Sequence, residues 1–226
     1  MNIGICTSFY NGYDKFLPRW AKSIAALKTK PKFVSVYASG PYDHKNTKEA
    51  MDILQRAGIQ FIFDFSVYHS SMGRARNAAV ENCNSRWIMY LDVDDTILPD
   101  AIDIIAKYEN KACVICTGLK VAGKKKKFIY TNTTRKSILS GKHGSSSHSV
   151  YKKNLWHKAP YIETNDYIEQ PFWLGLAQAR ASFIGTKEIC TIYHSRSDGH
   201  NRSMTQEQKK EARAQFKRFI QEGVHK

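Results

Sequence analysis

The 226-residue chain is poor in the features that define membrane-spanning and disulfide-held proteins. No segment approaches ~20 consecutive apolar residues, so no transmembrane segment is expected. The opening Met1-Asn2-Ile3-Gly4-Ile5-Cys6 lacks the charged and apolar regions of a signal peptide, which predicts a soluble, cytoplasmic protein whose only membrane association would be peripheral. Cysteine is scarce and odd in number: Cys6, Cys83, Cys113, Cys116 and Cys190. Four of them lie in or beside apolar runs, so reduced, buried thiols are expected rather than a disulfide framework. Cys113 and Cys116 form a Cys-x-x-Cys inside an apolar stretch, but no second pair completes a zinc site. Acidic residues are the minority, 20 against 35 Lys and Arg, for a formal charge of +15. That excess favours polyanionic partners: nucleic acid, an anionic membrane face or a phosphate-bearing substrate.

What is present suits one globular domain with a basic tail. Hydrophobic residues make up 42% of the chain, enough for a real core. Short apolar runs alternate with helical patterns through the first half, which argues for a βαβ series and a mostly parallel sheet. Strands are expected at Ile3 to Ser8, Phe33 to Ala38, Gln60 to Phe65 and Trp87 to Leu91. Helices are expected at Phe16 to Leu27, Thr47 to Ala57, Gly73 to Asn82 and Asp100 to Tyr108, with Pro99 suited to a first helical turn. Beyond a strand at Ala112 to Lys120, the run Lys124 to Lys127 reads as a hairpin tip. Thr131 to Ser149, rich in Gly and Ser, reads as a mobile loop. A helix from Glu169 to Ala181 and two short strands, Ala181 to Ile184 and Ile189 to Tyr193, follow. The stretch from Lys209 to Lys226 has helical spacing, with Ala212, Phe216, Phe219 and Ile220 on one face and basic residues around the other. The expected division is a substrate-binding βα half over 1–108, a second half of the same domain over 109–203, and a basic C-terminal helix over 204–226.

Chemistry concentrates where the fourth strand ends, at Asp92-Val93-Asp94-Asp95. Carboxylates at the carboxyl end of a parallel strand stand where open α/β sheets bind ligands. Three adjacent carboxylates repel unless something positive joins them. Mg²⁺ or Mn²⁺ prefers oxygen ligands and is commonly held by one or two carboxylates together with substrate phosphates, so the cluster suggests a nucleoside diphosphate substrate.

Several segments together resemble the GT-A fold of family 2 glycosyltransferases over roughly Met1 to Tyr108. Thr7-Ser8-Phe9-Tyr10-Asn11 is similar to the family's strand end that meets the nucleotide. Gly73-Arg74-Ala75-Arg76-Asn77 is similar to the segment before the catalytic strand. Asp92-Val93-Asp94-Asp95 followed by Leu98-Pro99 resembles its Asp-x-Asp signature. The resemblance implies transfer of a sugar from a nucleotide-sugar donor, UDP-linked as is commonest in the family, with Asp94 on a divalent metal, Mn²⁺ or Mg²⁺, and Asp92 near the ribose or the metal's outer shell. Thr7, Tyr10, Asn11, Asp43 and Arg76 complete the implied donor contacts. Strand two ends on Ala38-Ser39-Gly40-Pro41-Tyr42-Asp43, so the acidic residue the family uses toward the base comes late here, at Asp43. The family's inverting chemistry needs a carboxylate to take the acceptor proton, and the resemblance implies Glu169 or Asp166. It also implies a histidine, His200 or His194, for the metal shell. In the same segment Arg196 and Arg202 are candidates to clamp phosphates through their guanidinium groups.

Two other readings compete. Leu91-Asp92-Val93-Asp94-Asp95-Thr96-Ile97-Leu98 also resembles the first motif of haloacid dehalogenase-like phosphatases, with Asp92 as nucleophile. The charge alone suits a non-enzymatic nucleic-acid binder, which leaves the Asp cluster without a purpose. A glycosyltransferase acting on a polyanionic acceptor, such as modified DNA or a phosphorylated glycan or lipid, joins the charge to the cluster.

Overall fold

The first strand, β1 (Ile3–Tyr10), is buried on both faces, which is why its sequence is apolar throughout rather than alternating. Ile3 and Ile5 point to one side of the sheet and Cys6 to the other. A side chain on Gly4 would meet Cys83 Sγ at 2.2 Å, so only glycine lets the neighbouring segment lie that close. In this computed structural model the described residues are 1–10, 12–142, 144–165, 168–196 and 205–225.

After a 3₁₀ turn at Asp14–Phe16, α1 (Leu17–Ala25) carries proline in its first turn, where a missing N–H costs nothing. It buries Leu17, Trp20, Ala21 and Ile24 against the sheet. β2 (Phe33–Ser39) leads to α2 (His44–Arg56), started by the Asp43 side chain accepting from the Lys45 N–H at 2.7 Å. β3 (Phe61–Ser66) leads to α3 (Met72–Glu81), capped by Ser71, and then to β4 (Trp87–Tyr90). β5 (Thr96–Ile97) and α4 (Ala101–Ala106) follow the aspartates. The second half contains β6 (Val114–Val121), β7 (Lys127–Phe128), α5 (Arg135–Leu139), β8 (Val150–Lys152) and α6 (Lys153–Trp156). It continues with α7 (Glu169–Gln178), β9 (Phe183–Tyr193) and α8 (Gln206–Glu222).

Among the described residues all the strands join one sheet in the order β3-β2-β1-β4-β8-β6-β9-β5, with β7 on β6. β3, β2, β1 and β4 are parallel, whereas β8 runs antiparallel to both β4 and β6. The order reverses direction between β1 and β4, so their carboxyl ends open a crevice at the switch point. One core cluster packs Trp20, Leu54 and Ile105 on one face; the other packs Val80, Trp156 and Phe172 on the opposite face.

Three stretches differ from expectation. Thr131 to Ser149 is not simply a loop: Thr134 and Ser137 form a capping box for α5, and Ser146, His148 and Ser149 are buried. The two short strands expected at 181–184 and 189–193 are one strand, β9. Its polar centre, Gly185-Thr186-Lys187-Glu188, looks like a turn in sequence but lies where the pairing with β6 is irregular. Gly185 is required there, since a Cβ would stand 1.8 Å from Tyr130 O. β5 is an unexpected two-residue strand that pairs antiparallel with β9 and ties down the chain just after the aspartates. All five cysteines are free thiols, four of them buried. α8 starts with a Thr205/Gln208 capping box and docks on α7, where Gln178 Nε2 donates to Phe219 O at 3.0 Å.

Candidate active site

The crevice at the ends of β1 and β4 holds a cavity of about 490 Å³, lined among others by Tyr10, Arg76, Asp92, Asp94 and Glu169. Its walls come from both halves of the chain, and α3 is the element that joins them. Gly73 allows the segment before α7 to approach: its N–H donates to Thr164 O at 3.0 Å, and a Cβ would lie 1.8 Å from Ile162 O. Asn77 accepts on Oδ1 from Trp156 Nε1 and from the Tyr161 N–H, both at 2.9 Å, and donates from Nδ2 to Tyr161 O at 2.9 Å. Arg76, one position before, faces the cavity.

The Arg76 side chain is 4% exposed, and its Nη2 donates to Asp92 Oδ1 and to Glu169 Oε1, each at 2.8 Å. The guanidinium lies 4.4 Å from the Tyr90 ring centre and 5.6 Å from that of Tyr161, so cation–π contact adds to the two ion pairs. Burial alone would push Arg76 toward deprotonation, but Asp92 and Glu169 raise its pKa above the ordinary arginine range.

Asp92 has a basic side chain near each oxygen. Beyond Arg76 on Oδ1, His148 Nε2 stands 3.5 Å from Oδ2, and the same nitrogen is 3.0 Å from Asp95 Oδ2. The other ring nitrogen of His148 meets Thr191 Oγ1 at 3.1 Å. Burial would lower the imidazole pKa, yet the flanking carboxylates Asp92 and Asp95 hold it up at about 10, so it is a cation at neutral pH. Asp92 shows the reverse balance. Burial opposes its charge, but Arg76 and then His148 keep the carboxyl well below the usual range.

Asp94 differs from its neighbours. It lines the cavity, and burial, reinforced by Asp92 and Asp95, raises its pKa from 3.8 to about 6. Its charged neighbour is Arg196, whose Nη1 lies 3.7 Å from Oδ2, while Arg19 binds its backbone carbonyl. The guanidinium of Arg196 also rests 4.5 Å from the ring centres of both Tyr13 and Phe16.

The residues expected from sequence are distributed unevenly around this cavity. Tyr10, Arg76, Asp92, Asp94 and Glu169 line it together. Thr7 is buried inside β1, and Asp43 serves as the cap of α2. His194 stands beside Asp95, whose Oδ1 accepts its backbone N–H at 2.8 Å, and its ring is 3.1 Å from Thr96 Oγ1. Asn11, Asp166, His200 and Arg202 lie outside the described residues. His148 was not among the expected residues. Its only sequence signal is a histidine two residues before the apolar Val150-Tyr151, and the surrounding Gly- and Ser-rich stretch conceals it.

The chain belongs to glycosyl transferase family 2, whose model matches residues 5–170. The fold agrees with solved GT-A structures. S. aureus TarS in complex with UDP-GlcNAc aligns at TM-score 0.71 and 17% identity, over 91% of this chain and 62% of that one. The mannosyltransferase PcManGT from Pyrobaculum calidifontis, in complex with GDP-Man and Mn²⁺, aligns at TM-score 0.64 and 10% identity, over 88% and 58%. The chain therefore spans about three fifths of the length of these structures. No curated protein sequence matches it. Family membership also decides between the readings of the Asp strand, and the phosphatase reading falls away. No helix among the described residues is long and apolar enough to cross a membrane.

Proposed function

We propose that the protein transfers a sugar from a nucleoside-diphosphate sugar, UDP-linked in the first instance, to an acceptor hydroxyl with inversion. The observation that carries this reading is the single nitrogen of Arg76 bridging Asp92 and Glu169 across the switch-point cavity. It sets a donor-side carboxylate and an acceptor-side carboxylate at a fixed separation around one space large enough for a substrate. In this reading the βα half, 1–108, holds the donor and 109–203 supplies the base and acceptor contacts.

A divalent cation fits the residues at Asp94. Its carboxylate faces the cavity, and its pKa of about 6 marks a site where negative charge is under-compensated. Asp92, Asp95 and His148 form another group whose ligand atoms lie within 4.8 Å of one another. There the imidazole already stands between the two carboxylates, 3.5 Å from Asp92 Oδ2 and 3.0 Å from Asp95 Oδ2, whereas Asp94 faces the cavity. Asp94, aided by Asp92, is the better holder of Mn²⁺ or Mg²⁺. Such an ion, when bound, supplies Lewis-acid stabilisation of the departing diphosphate.

The chain's own residues do the rest. Tyr10, 42% exposed and packed against Tyr13 with ring centres 4.4 Å apart, offers a face to the base. Arg196 stands at the Asp94 side of the cavity, within reach of phosphate. Glu169 takes the proton from the acceptor hydroxyl as that oxygen attacks the anomeric carbon and the nucleoside diphosphate leaves. Arg76 occupies Oε1, so Oε2 is the oxygen that receives the proton. Asp166 is the alternative base.

The test is calorimetric titration with UDP-GlcNAc and GDP-Man, with and without Mn²⁺, alongside an assay of nucleoside diphosphate release. Metal-dependent binding of one donor is expected. Absence of binding and of release with every nucleotide sugar tried sinks the reading.

A further inference from the structure

The lysine run at Lys124 to Lys127 forms the tip of the β6–β7 hairpin, and all four residues are exposed. None of them forms an ion pair with a described residue. The turn is closed by the Val121 N–H donating to Lys126 O at 2.9 Å, with Gly123 in the left-handed region at φ 67°. The hairpin rises beside the cavity. The Ala122 N–H donates to Tyr193 O at 2.9 Å, and Tyr193 lines the cavity.

Register connects the two places further. Phe128 pairs with Leu119, Thr191 with Leu119 and Tyr193 with Val121, so Phe128, Thr191 and Tyr193 share one face of the sheet. Thr191 on that face holds His148 behind the aspartates. Phe128 and Tyr193 are each 38% exposed; Lys126 Nζ lies 4.7 Å from the Phe128 ring centre, and Tyr193 lines the cavity.

We infer that this hairpin is the acceptor-binding surface, and that the acceptor is an extended polyanion, a phosphate-bearing polymer that runs from the lysines over Phe128 and Tyr193 to the cavity. The inference rests on the proposed transfer reaction for its meaning as an acceptor site. A single small anion is a poor match, because no buried side chain gathers the four lysines around one point. Cations spread along an exposed tip suit a line of charges instead. An anionic membrane is a poorer match too. A flat anionic surface would meet the lysine tip alone, whereas a chain can also pass Tyr193, which the Ala122 N–H holds beside the hairpin, into the cavity that Tyr193 lines.

The test compares wild type with a variant combining Lys124→Ala, Lys125→Ala, Lys126→Ala and Lys127→Ala, and with a control combining Lys210→Ala, Arg213→Ala and Lys217→Ala on α8. The probe is fluorescein-labelled long-chain inorganic polyphosphate, titrated at several salt concentrations, with circular dichroism confirming that each variant folds. The hairpin variant should lose at least about tenfold in affinity, and the slope of log affinity against log salt should fall by about three, since each lost phosphate contact removes ~0.7. The α8 variant should stay within about twofold of wild type. Unchanged binding by the hairpin variant, or an equal loss by the α8 variant, overturns the inference. So does hairpin-dependent sedimentation with phosphatidylglycerol vesicles if polyphosphate binding is unaffected. Donor titration of the wild type, run in parallel, separates the two ideas: without donor binding the transfer reading fails, while the polyphosphate result still decides whether the hairpin binds polyanions.

Discussion

Arg76 holds Glu169 by the same nitrogen, Nη2, that it gives to Asp92, at 2.8 Å in both cases. One guanidinium nitrogen thus sets the spacing of two carboxylates that come from different halves of the chain. Removing it leaves both charges without their common partner.

Arg76→Met is expected to destabilise the protein by about 3 kcal/mol or more, the usual cost of breaking a buried pair from one side. Arg76→Lys should recover part of the stability but little turnover, because an ammonium on a different stem lacks the flat guanidinium that packs on Tyr90 and Tyr161 and so holds the bridging nitrogen in place. Urea denaturation together with transfer rates would show this, and a Lys variant with full activity would contradict it.

Glu169→Gln should leave donor affinity within about threefold of wild type and lower transfer by two orders of magnitude or more, the scale of a lost general base. Asp166→Asn serves as the comparison. If only that substitution stops transfer, the base is Asp166.

Asp94 predicts a pH effect in the absence of metal. Its folded pKa of about 6 exceeds the ordinary 3.8, so native stability from this group is full below pH 3.8 and declines as pH rises through 6. Asp94→Asn removes that decline. The variant should melt above wild type at pH 7.5, show no advantage near pH 3.5, and lose Mn²⁺-dependent donor binding. Thermal melts across pH, with and without Mn²⁺, give the answer.

His148 titrates in the same sense from a higher starting point. Its folded value of about 10 lies above the ordinary 6.5, so its contribution is complete below pH 6.5 and disappears as pH rises through 10. His148→Gln should therefore be less stable than wild type at pH 6, with the gap narrowing toward pH 10.5. A gap that stays constant over this range would mean that packing, not charge, makes His148 matter.

Gly73→Ala should be costly although it adds only one methyl. The new carbon would meet Ile162 O at 1.8 Å, and the overpacking cost is about 1–3 kcal/mol. Because the displaced segment leads to Glu169, transfer should fall further than stability implies, which paired melting and rate measurements would reveal.

The parallel half of the sheet could be read in advance because β1, β2 and β4 are buried on both faces, and such strands appear as unbroken apolar runs between turn signals. Asp92 and Asp94 were visible for the same reason: charge at the end of such a run is conspicuous. β5 and β8 were not visible, since two or three residues are too few to show a period. His148 was hidden for a different reason. Its role comes from contacts with Asp92, Asp95 and Thr191, which are far away in the chain and adjacent only after the sheet forms. The same holds for Tyr161, whose ring near Arg76 depends on tertiary packing.

The bonds made by Asn77 also limit how this protein can be recombined. Its side chain grips Trp156 and Tyr161 through three hydrogen bonds, so the two halves of the chain share a single amide. A chimera that borrows its second half from a relative would inherit a foreign partner for that amide. Functional exchange of acceptor modules should therefore require transplanting Asn77 and its three partner atoms as one unit, however cleanly the crossover point falls between α4 and β6.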